Sequence, residues 1–205
     1  MPTIEWLKAE FSYGYDSGDI QAETIDKQRK LEESKIGGSY AVIAEELLMN
    51  NIKPNAQVLE LGPGTGSWSR VILDALGEGG KLSTLDFQDV SKWLNSKMYQ
   101  GKLVHYLIDS YDYSFLSDNT FDMFWSFGVL CHNNIDSIYQ IMHNISPKLK
   151  KGALVIHQYA DWEKLEEYGW KKGAIPLDFK DKVDDEIWWP RNNQKVMQTI
   201  WVRLF

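Results

Sequence analysis

A run of glycines at the end of a short apolar segment constrains the fold more than any other feature of this chain. Residues 57–61 are mostly apolar, the run stops at Gly62, Gly64 and Gly66, and apolar residues then recur at helical spacing from residue 68 to residue 76. This order predicts a strand, a glycine-rich turn and an amphipathic helix. In doubly wound α/β sheets, such a turn brings bare backbone and a helix N-terminus to the carboxyl end of the strand, where nucleotide-like ligands bind.

Two residues beside the turn indicate which ligand it suits. A dinucleotide fingerprint would have a third glycine at position 67, where this chain has Ser67, and the strand ends with the acid Glu60. A carboxylate repels a pyrophosphate, whereas it attracts the ammonium of a methionyl group next to a sulfonium. At ~4 Å and an effective dielectric constant of about 20, one such charge pair is worth about 4 kcal/mol. The turn therefore favours a cationic ligand.

The turn resembles the first motif of class I S-adenosylmethionine-dependent methyltransferases, which reads here Glu60-Leu61-Gly62-Pro63-Gly64-Thr65-Gly66. A second acid, Asp86, ends the next strand-like run 20 residues after Gly66, where a carboxylate can accept both ribose hydroxyls. The other interpretation of Asp86 is a helix cap or a surface acid. The resemblance covers residues 39–159 and implies S-adenosyl-L-methionine as cofactor. It also implies an α/β fold, with a doubly wound, mainly parallel Rossmann-like sheet and helices on both faces.

The resemblance also implies which residues contact the cofactor. After the third predicted strand, Asp109 is expected to accept a hydrogen bond from the adenine amino group, with Ser110 beside it. Phe87, next to the ribose acid, either lies against the adenine or packs in the core. The complete set of expected cofactor contacts is Glu60, Gly62, Gly64, Gly66, Asp86, Phe87, Asp109, Ser110 and Phe127.

Two histidines are the candidates for catalysis. His132 follows the fourth predicted strand and His157 ends the fifth, so both belong to the edge of the sheet where the methyl donor meets its acceptor. Transfer to a hydroxyl needs a base, and an imidazole suits this task near neutral pH. The alternative for His132 is a helix cap or packing under the cofactor. Histidines and acids in this region match no known metal-binding spacing, so we expect no metal.

The acceptor is expected to be a small polar molecule. Methyltransferases that act on base amines carry Asn or Asp followed by two prolines, where this chain has Ser126-Phe127-Gly128. This difference argues against base methylation. We expect methyl transfer to an oxygen of a sugar, a nucleotide sugar or another small polar metabolite. The alternatives are a non-catalytic S-adenosylmethionine-binding module of a larger assembly and an N-methyltransferase for a small amine. An NAD-dependent oxidoreductase is disfavoured by Glu60 and Ser67.

Length, charge and cysteine content limit the number of domains, the class of partner and the cellular compartment that we expect. The chain has 205 residues, a net charge of -7 and a pI near 5.1, which argue for one sizeable core and against a nucleic-acid or anionic membrane partner. The lone Cys131 excludes an intrachain disulfide and fits a reducing compartment. No apolar run is long enough to span a bilayer, and the N-terminus lacks the pattern of a signal peptide. We therefore expect a cytoplasmic protein with a small-molecule or glycan substrate.

We expect a single domain over residues 1–205. Residues 1–38 would form an N-terminal cap, residues 39–160 the cofactor-binding core, and residues 161–205 a substrate-side insertion and a terminal helix. Within the cap, Tyr13, Tyr15 and Arg29 are candidates to cover the pocket, although surface exposure is favoured for each. A helix is predicted after Asp89, over residues 90–98.

The last 45 residues carry two further expectations. The insertion is rich in tryptophan, which serves burial or the stacking of sugars: Trp162, Trp170, Trp188 and Trp189. A terminal helix would leave no residues for the last strands of such a sheet. The exposed edge would then need a partner, which suggests a homo-oligomer or a larger parent chain.

Overall fold

The computed structural model describes residues 4–12, 16–27, 29–30, 33, 38–133, 135–160 and 198–204. Its helices are α1 (Ile4–Glu10), α2 (Tyr40–Ile43, continued as a π-helix over Ala44–Met49), α3 (Ser67–Ala75) and α4 (Ile135–Ile145). Its strands are β1 (Gln57–Leu61), β2 (Lys81–Asp86), β3 (Leu103–Leu107), β4 (Phe121–Ser126), β5 (Leu149–Ala160) and β6 (Gln198–Leu204). Short 3₁₀ turns cover Ser96–Tyr99, Leu130–His132 and Ser146–Lys148.

The strands form one sheet in the order β3-β2-β1-β4-β5-β6. The pairs among β1 to β5 are parallel, so the carboxyl ends of these five strands lie at the same edge of the sheet. The chain leaves β1 towards β2 on one side, and β4 pairs with β1 on the other. This reversal opens a crevice at the carboxyl end of β1, which is where doubly wound sheets bind their ligands.

Helices cover both faces of the sheet, as the doubly wound interpretation requires. Successive side chains of β1 alternate between the faces, with Val58 in one apolar cluster and Leu59 in the other. The first cluster receives Tyr40 of α2 and Ile72 of α3, and the second receives Ile141 of α4. The predicted fold class, an α/β Rossmann-like methyltransferase sheet, is therefore confirmed.

The predicted terminal helix is wrong. Gln198–Leu204 is a strand, β6, which pairs antiparallel with β5 from Leu154↔Leu204 to Ala160↔Gln198. The sequence of this run fits both periods, and seven residues are too few for an isolated helix to be stable. The open edge of β5 decides the outcome because it offers backbone hydrogen bonds to a strand that contains the β-branched residues Thr199, Ile200 and Val202.

The helix predicted over residues 90–98 is also wrong. The segment forms turns, with Val90 and Leu94 fully buried, and only Ser96–Tyr99 is a 3₁₀ turn. Asp89 accepts a hydrogen bond from the amide of Ser91, and Asn95 does the same for Lys97. Such side-chain bonds to nearby amides compete with helix formation. The segment therefore buries its regularly spaced apolar residues from turns and not from a helix.

Among the described residues, no helix is both long and apolar enough to cross a membrane.

Candidate active site

The glycine-rich turn leaves β1 at the crevice and approaches its neighbours closely. The amide of Gly62 donates to the carbonyl of Leu85, 2.8 Å away, so the pairing of β1 with β2 extends into the turn. Gly62 has φ 72°, and a Cβ on it would lie 2.3 Å from Cγ2 of Val129. Gly66 has φ 89°, and its Cβ would lie 2.8 Å from Cδ1 of Leu94. A positive φ favours glycine at both positions, and at Gly62 the nearby side chain of Val129 also leaves no space for a Cβ.

Glu60 lies beneath this turn and is 2% exposed. Its carboxyl accepts a hydrogen bond of 2.5 Å from the hydroxyl of Ser69 in α3. Burial raises the pKa of Glu60 to about 8, with a further rise from Asp86 that the bonds from Ser69 and the charge of Arg70 do not offset. The side chain is therefore mostly protonated at neutral pH, and a nearby cation is what would favour its ionised form.

Asp86 ends β2 beside the turn. Burial raises the pKa of its carboxyl to about 6, although hydrogen bonds from the amides of Gln88, Gly64 and Phe87 oppose the rise. The bond from Gln88 is 2.8 Å long. The amide of Gly64 links this acid directly to the glycine-rich turn. Glu60 and Asp86 thus form a pair of partly desolvated carboxyls at the carboxyl ends of adjacent strands.

The N-terminus of α3, which follows the turn, carries a partial positive charge. The carboxylate of Asp16 already lies beside it. The hydroxyl of Ser67, the first residue of α3, donates to Oδ1 of Asp16, 3.1 Å away. Partial burial raises the pKa of Asp16, but hydrogen bonds from Gly18, Thr65 and Ser67, together with the charge of Arg70, lower it below its ordinary value. A pyrophosphate at this helix end would meet the negative charge of Asp16, so a dinucleotide fits poorly.

The loops after β2 and β3 surround the region expected to hold adenine. Phe87 packs against the apolar cluster on the α4 face, and its ring meets Tyr111 edge-on with centroids 5.8 Å apart. Both interpretations of Phe87, core packing and contact with a ligand, are compatible with this position. Asp109 is exposed and Ser110 is half-buried, and both follow β3 at the carboxyl edge.

Phe127 follows β4 and belongs to an aromatic cluster on the α3 face. Its ring lies 4.6 Å from Trp68, 5.5 Å from Tyr40 and 5.8 Å from Trp125, measured between centroids. Trp68 lies in the first turn of α3, the helix that follows the glycine-rich turn. The cluster therefore supports the crevice from one side.

The two candidate catalytic histidines belong to neighbouring parts of the sheet, the turn after β4 and the strand β5. His132 ends the 3₁₀ turn after β4, and its ring contacts Phe11 with centroids 4.8 Å apart. His157 is 9% exposed in β5, opposite Ser126 in the sheet register, and β5 packs against the turn that carries His132. Burial lowers the pKa of both imidazoles to about 4. Both rings are neutral at pH 7, and His132 is the more exposed of the two.

Helix α1 and the residue that follows it reach both sides of the crevice. Nε2 of Gln88, after β2, donates to the carbonyl of Lys8 over 2.7 Å. The ammonium of Lys8 lies 5.8 Å from the ring centroid of Phe87. Phe11, at the other end of this contact region, packs on His132. The described part of the N-terminal segment therefore lies against the loops that carry the candidate site.

Several polar contacts that hold these loops gave no signal in the sequence. The hydroxyl of Tyr111 donates to Oδ1 of Asn133 over 2.7 Å, which ties the loop after β3 to the turn after β4. Oε1 of Gln158 accepts from the amide of Gly128 over 2.8 Å. These pairs are 22 and 30 residues apart in sequence, so no local pattern identifies them.

Arg29 was expected to be solvated, and this expectation is wrong. Arg29 is 4% exposed and donates to three backbone carbonyls and to Glu33. Tyr13, Tyr15 and the tryptophans of residues 161–197 lie outside the described residues. Within the part of the chain that is described, no group of three or more His, Cys, Asp and Glu residues is arranged to hold a metal ion.

Comparison with known proteins agrees with this geometry. Residues 59–157 match the model of a family described as a methyltransferase domain. A demethylmenaquinone methyltransferase of Bacillus mycoides (strain KBAB4) is 28% identical over 119 residues, which are 55% of this chain and 48% of that protein. The chain therefore spans about half the length of this curated relative.

Solved structures show the same fold at low sequence identity. A methyltransferase from Aquifex aeolicus, described as dependent on S-adenosylmethionine, has a TM-score of 0.50 and 18% identity, over 67% of this chain and 74% of that one. Phosphoethanolamine N-methyltransferase 1 of Haemonchus contortus has a TM-score of 0.55 and 11% identity, over 77% of this chain and 32% of that one. Residues 59–157 are therefore similar in sequence to a methyltransferase domain, and the sheet shares its fold with these solved methyltransferase structures.

Proposed function

We propose that this chain binds S-adenosyl-L-methionine at the glycine-rich turn and transfers its methyl group to an oxygen of a small polar acceptor. When bound, the cofactor supplies an electrophilic methyl group on a sulfonium. Residues 39–160 are the cofactor-binding core in this proposal, and residues 1–38 cover it.

The single observation that carries the proposal is the pair of carboxyls at the ends of β1 and β2. Glu60 is 2% exposed, and burial raises the pKa of its carboxyl to about 8 because Ser69 and Arg70 offset the loss of hydration only in part. The methionyl ammonium would supply the remaining compensation. Asp86, which accepts a hydrogen bond from the amide of Gly64, would accept the ribose hydroxyls in this proposal. The carboxylate of Asp16, which is hydrogen-bonded to Ser67 at the start of α3, would repel the pyrophosphate of NAD.

The other residues that we expect to contact the cofactor follow the carboxyl ends of β1 to β4. Phe87 and Tyr111 flank the region assigned to adenine, and Asp109 and Ser110 follow β3 beside it. The backbone of Gly62, Gly64 and Gly66 allows close approach of the methionyl part. Phe127 supports this part from the aromatic cluster.

His132 is the proposed base. Its ring is neutral at pH 7 because burial lowers its pKa to about 4, and a neutral imidazole would accept the proton that leaves the acceptor hydroxyl as the methyl group passes from the sulfonium to its oxygen. His157, which lies deeper, would hydrogen-bond the acceptor or support the turn of His132.

The low basicity of the two imidazoles favours a second candidate, methyl transfer to a small amine. A base of pKa 4 is a poor match for a hydroxyl at neutral pH, since general-base catalysis is most effective when the pKa lies near the working pH. A neutral amine attacks through its own lone pair and needs no strong base. The two candidates differ in their dependence on His132.

Binding is the first experiment. S-adenosylmethionine, S-adenosylhomocysteine and NADH are titrated into the wild-type chain by calorimetry. We expect micromolar binding of the first two and none of NADH. The Asp86→Ala variant should bind S-adenosylhomocysteine about 10- to 100-fold more weakly, because hydrogen bonds to a charged group are worth about 1.5–3 kcal/mol. Asp89→Ala, a nearby exposed acid, is the matched control. Binding of NADH alone would overturn the proposed cofactor.

Transfer is the second experiment. Labelled S-adenosylmethionine is incubated with nucleotide sugars, free sugars, small amines and demethylmenaquinone, the last chosen from the name of the Bacillus relative. Product that forms on a sugar hydroxyl and is lost in His132→Ala supports the first candidate. Product on an amine that survives the loss of both His132 and His157 supports the second. Cofactor binding with no transfer to any acceptor favours a non-catalytic module.

A further inference from the structure

Arg29 is a buried cation that the proposed chemistry does not use. Nη1 donates to the carbonyls of Ser17 and Asp19 at 3.0 and 2.9 Å, and Nη2 donates to that of Ile20 at 2.9 Å. Nε donates to Glu33 at 3.0 Å, and the guanidinium lies 4.5 Å from the ring centroid of Tyr40. Its burial at 4% exposure is therefore compensated by an ion pair, three backbone acceptors and an aromatic face.

The carbonyls that Arg29 binds belong to residues 16–20, which we call the strap. The strap has no helix or strand of its own, so regular structure does not satisfy its buried backbone groups. Arg29 gathers three of its carbonyls on one planar fork of donors. A lysine ammonium lacks this fixed geometry. Ile20, 1% exposed in the cluster on the α3 face, anchors the end of the strap.

The other end of the strap is bonded to the glycine-rich turn. The amide of Ser17 donates to Oγ of Ser67 over 3.2 Å, and Oγ of Ser67 donates to Asp16 over 3.1 Å. Ser67 directly follows Gly66 and is the first residue of α3. A continuous set of contacts therefore runs from Arg29 through the strap to the end of the turn, although Arg29 and Ser67 are far apart in sequence.

We propose that Arg29 is a positioning residue for the cofactor site, which acts through the strap to hold the glycine-rich turn and the start of α3 in their binding geometry. This inference rests on the proposed function, because the turn is the proposed cofactor site. It extends that site to residues before the segment that matches the methyltransferase family.

A double-mutant cycle tests the inference. The dissociation constant of S-adenosylhomocysteine is measured by calorimetry for the wild type, Arg29→Lys, Ser67→Ala and the double variant. Arg29→Lys keeps the charge but loses the fork of donors, and we expect about tenfold weaker binding. Ser67→Ala should weaken binding about three- to fivefold. Because both substitutions break the same set of contacts, the double variant should match Arg29→Lys within about twofold.

Matched controls separate positioning from general stability. Lys30→Met removes an adjacent exposed cation and should leave the affinity unchanged. Hydrogen exchange without ligand should accelerate at the amides of residues 64–69 in Arg29→Lys, while the amides of β4 stay protected. Arg29→Gln, which removes the cation but leaves Glu33 the hydrogen bond from the amide of Tyr40, is the second variant in case the lysine prevents folding.

The outcomes are distinct. Losses that multiply in the double variant, or an Arg29→Lys protein that has a lower melting temperature but unchanged affinity, overturn the inference alone. Failure of the wild type to bind S-adenosylhomocysteine overturns the proposed function and the inference with it. The matching losses, with faster exchange confined to the turn, support the role of Arg29.

Discussion

The carboxyl of Glu60 accepts a 2.5 Å hydrogen bond from the hydroxyl of Ser69, at a position where Glu60 is 2% exposed. A cation strongly favours the ionised form of a carboxyl over its protonated form. A neutral hydroxyl favours the ionised form much less. The acid therefore enters the binding reaction mainly protonated, since burial raises its pKa to about 8. We therefore expect a ligand ammonium that binds beside Glu60 to displace that proton.

Cofactor binding should consequently release a proton below pH 8. The affinity of the wild type for S-adenosylhomocysteine should rise with pH by up to about tenfold per pH unit and level off near pH 8. Calorimetry in buffers of different ionisation enthalpy measures the released proton directly. Glu60→Gln should bind more weakly at pH 8 and show no such dependence. Asp74→Asn, an exposed acid of α3, should behave as the wild type; the same pH dependence in Glu60→Gln would exclude this role.

The same acid should make the unliganded fold less stable as pH rises. The pKa of Glu60 is raised from 4.5 to about 8, so the folded chain holds a proton that the unfolded chain has lost between these values. The free energy of unfolding should fall across this window by up to about 5 kcal/mol from this group. Urea unfolding at pH 5.5 and 8.5 should show Glu60→Gln gaining stability relative to the wild type at the higher pH. An equal pH dependence in both would contradict the burial of this charge.

Removal of the Phe11 ring should change the titration of His132. The centroids of these rings are 4.8 Å apart, and burial lowers the pKa of His132 to about 4. In Phe11→Ala, water reaches the imidazole, and its pKa should rise by one unit or more. NMR titration measures the shift, with His132→Gln used to assign the resonance. Phe115→Ala, which removes an aromatic residue that is 51% exposed, should leave the titration unchanged. A pKa that stays near 4 in Phe11→Ala would show that other residues exclude the water.

The approach of Gly62 to Val129 should be intolerant of a methyl group. A Cβ on Gly62 would lie 2.3 Å from Cγ2 of Val129, and φ is 72°. Gly62→Ala should therefore destabilise the fold by about 1–3 kcal/mol and weaken cofactor binding. The added substitution Val129→Ala removes the clash but not the backbone strain, so it should restore part of the stability. Thermal unfolding of both variants measures this; no recovery in the double variant would assign the whole cost to the backbone.

The sequence could predict what depends on local periodicity. The apolar run in β1 and the helical spacing after Gly66 predicted the strand, the turn and α3 correctly. The run at residues 198–204 fits both periods, and the open edge of β5 decides between them. After Asp89, local hydrogen bonds override the helical spacing.

Contacts between distant residues could not be predicted in the same way. The burial of Arg29 depends on carbonyls of an irregular segment, which leave no periodic trace. In the sequence, Ser67 is informative only because a dinucleotide-binding motif would have a glycine there. In the structure, its hydroxyl joins the start of α3 to Asp16 and Ser17. The assigned roles of the individual site residues remain predictions until the binding experiments are done.

Helix α1 and Phe11 touch the loop after β2 at Gln88 and the turn after β4 at His132. Phe11 directly follows this seven-residue helix, so both contacts belong to one short stretch of the chain. A displacement of α1 that breaks its contact with Gln88 should therefore also move Phe11 away from the ring of His132. Under the proposed function, release of the used methyl donor and entry of water to His132 should then share a single rate constant.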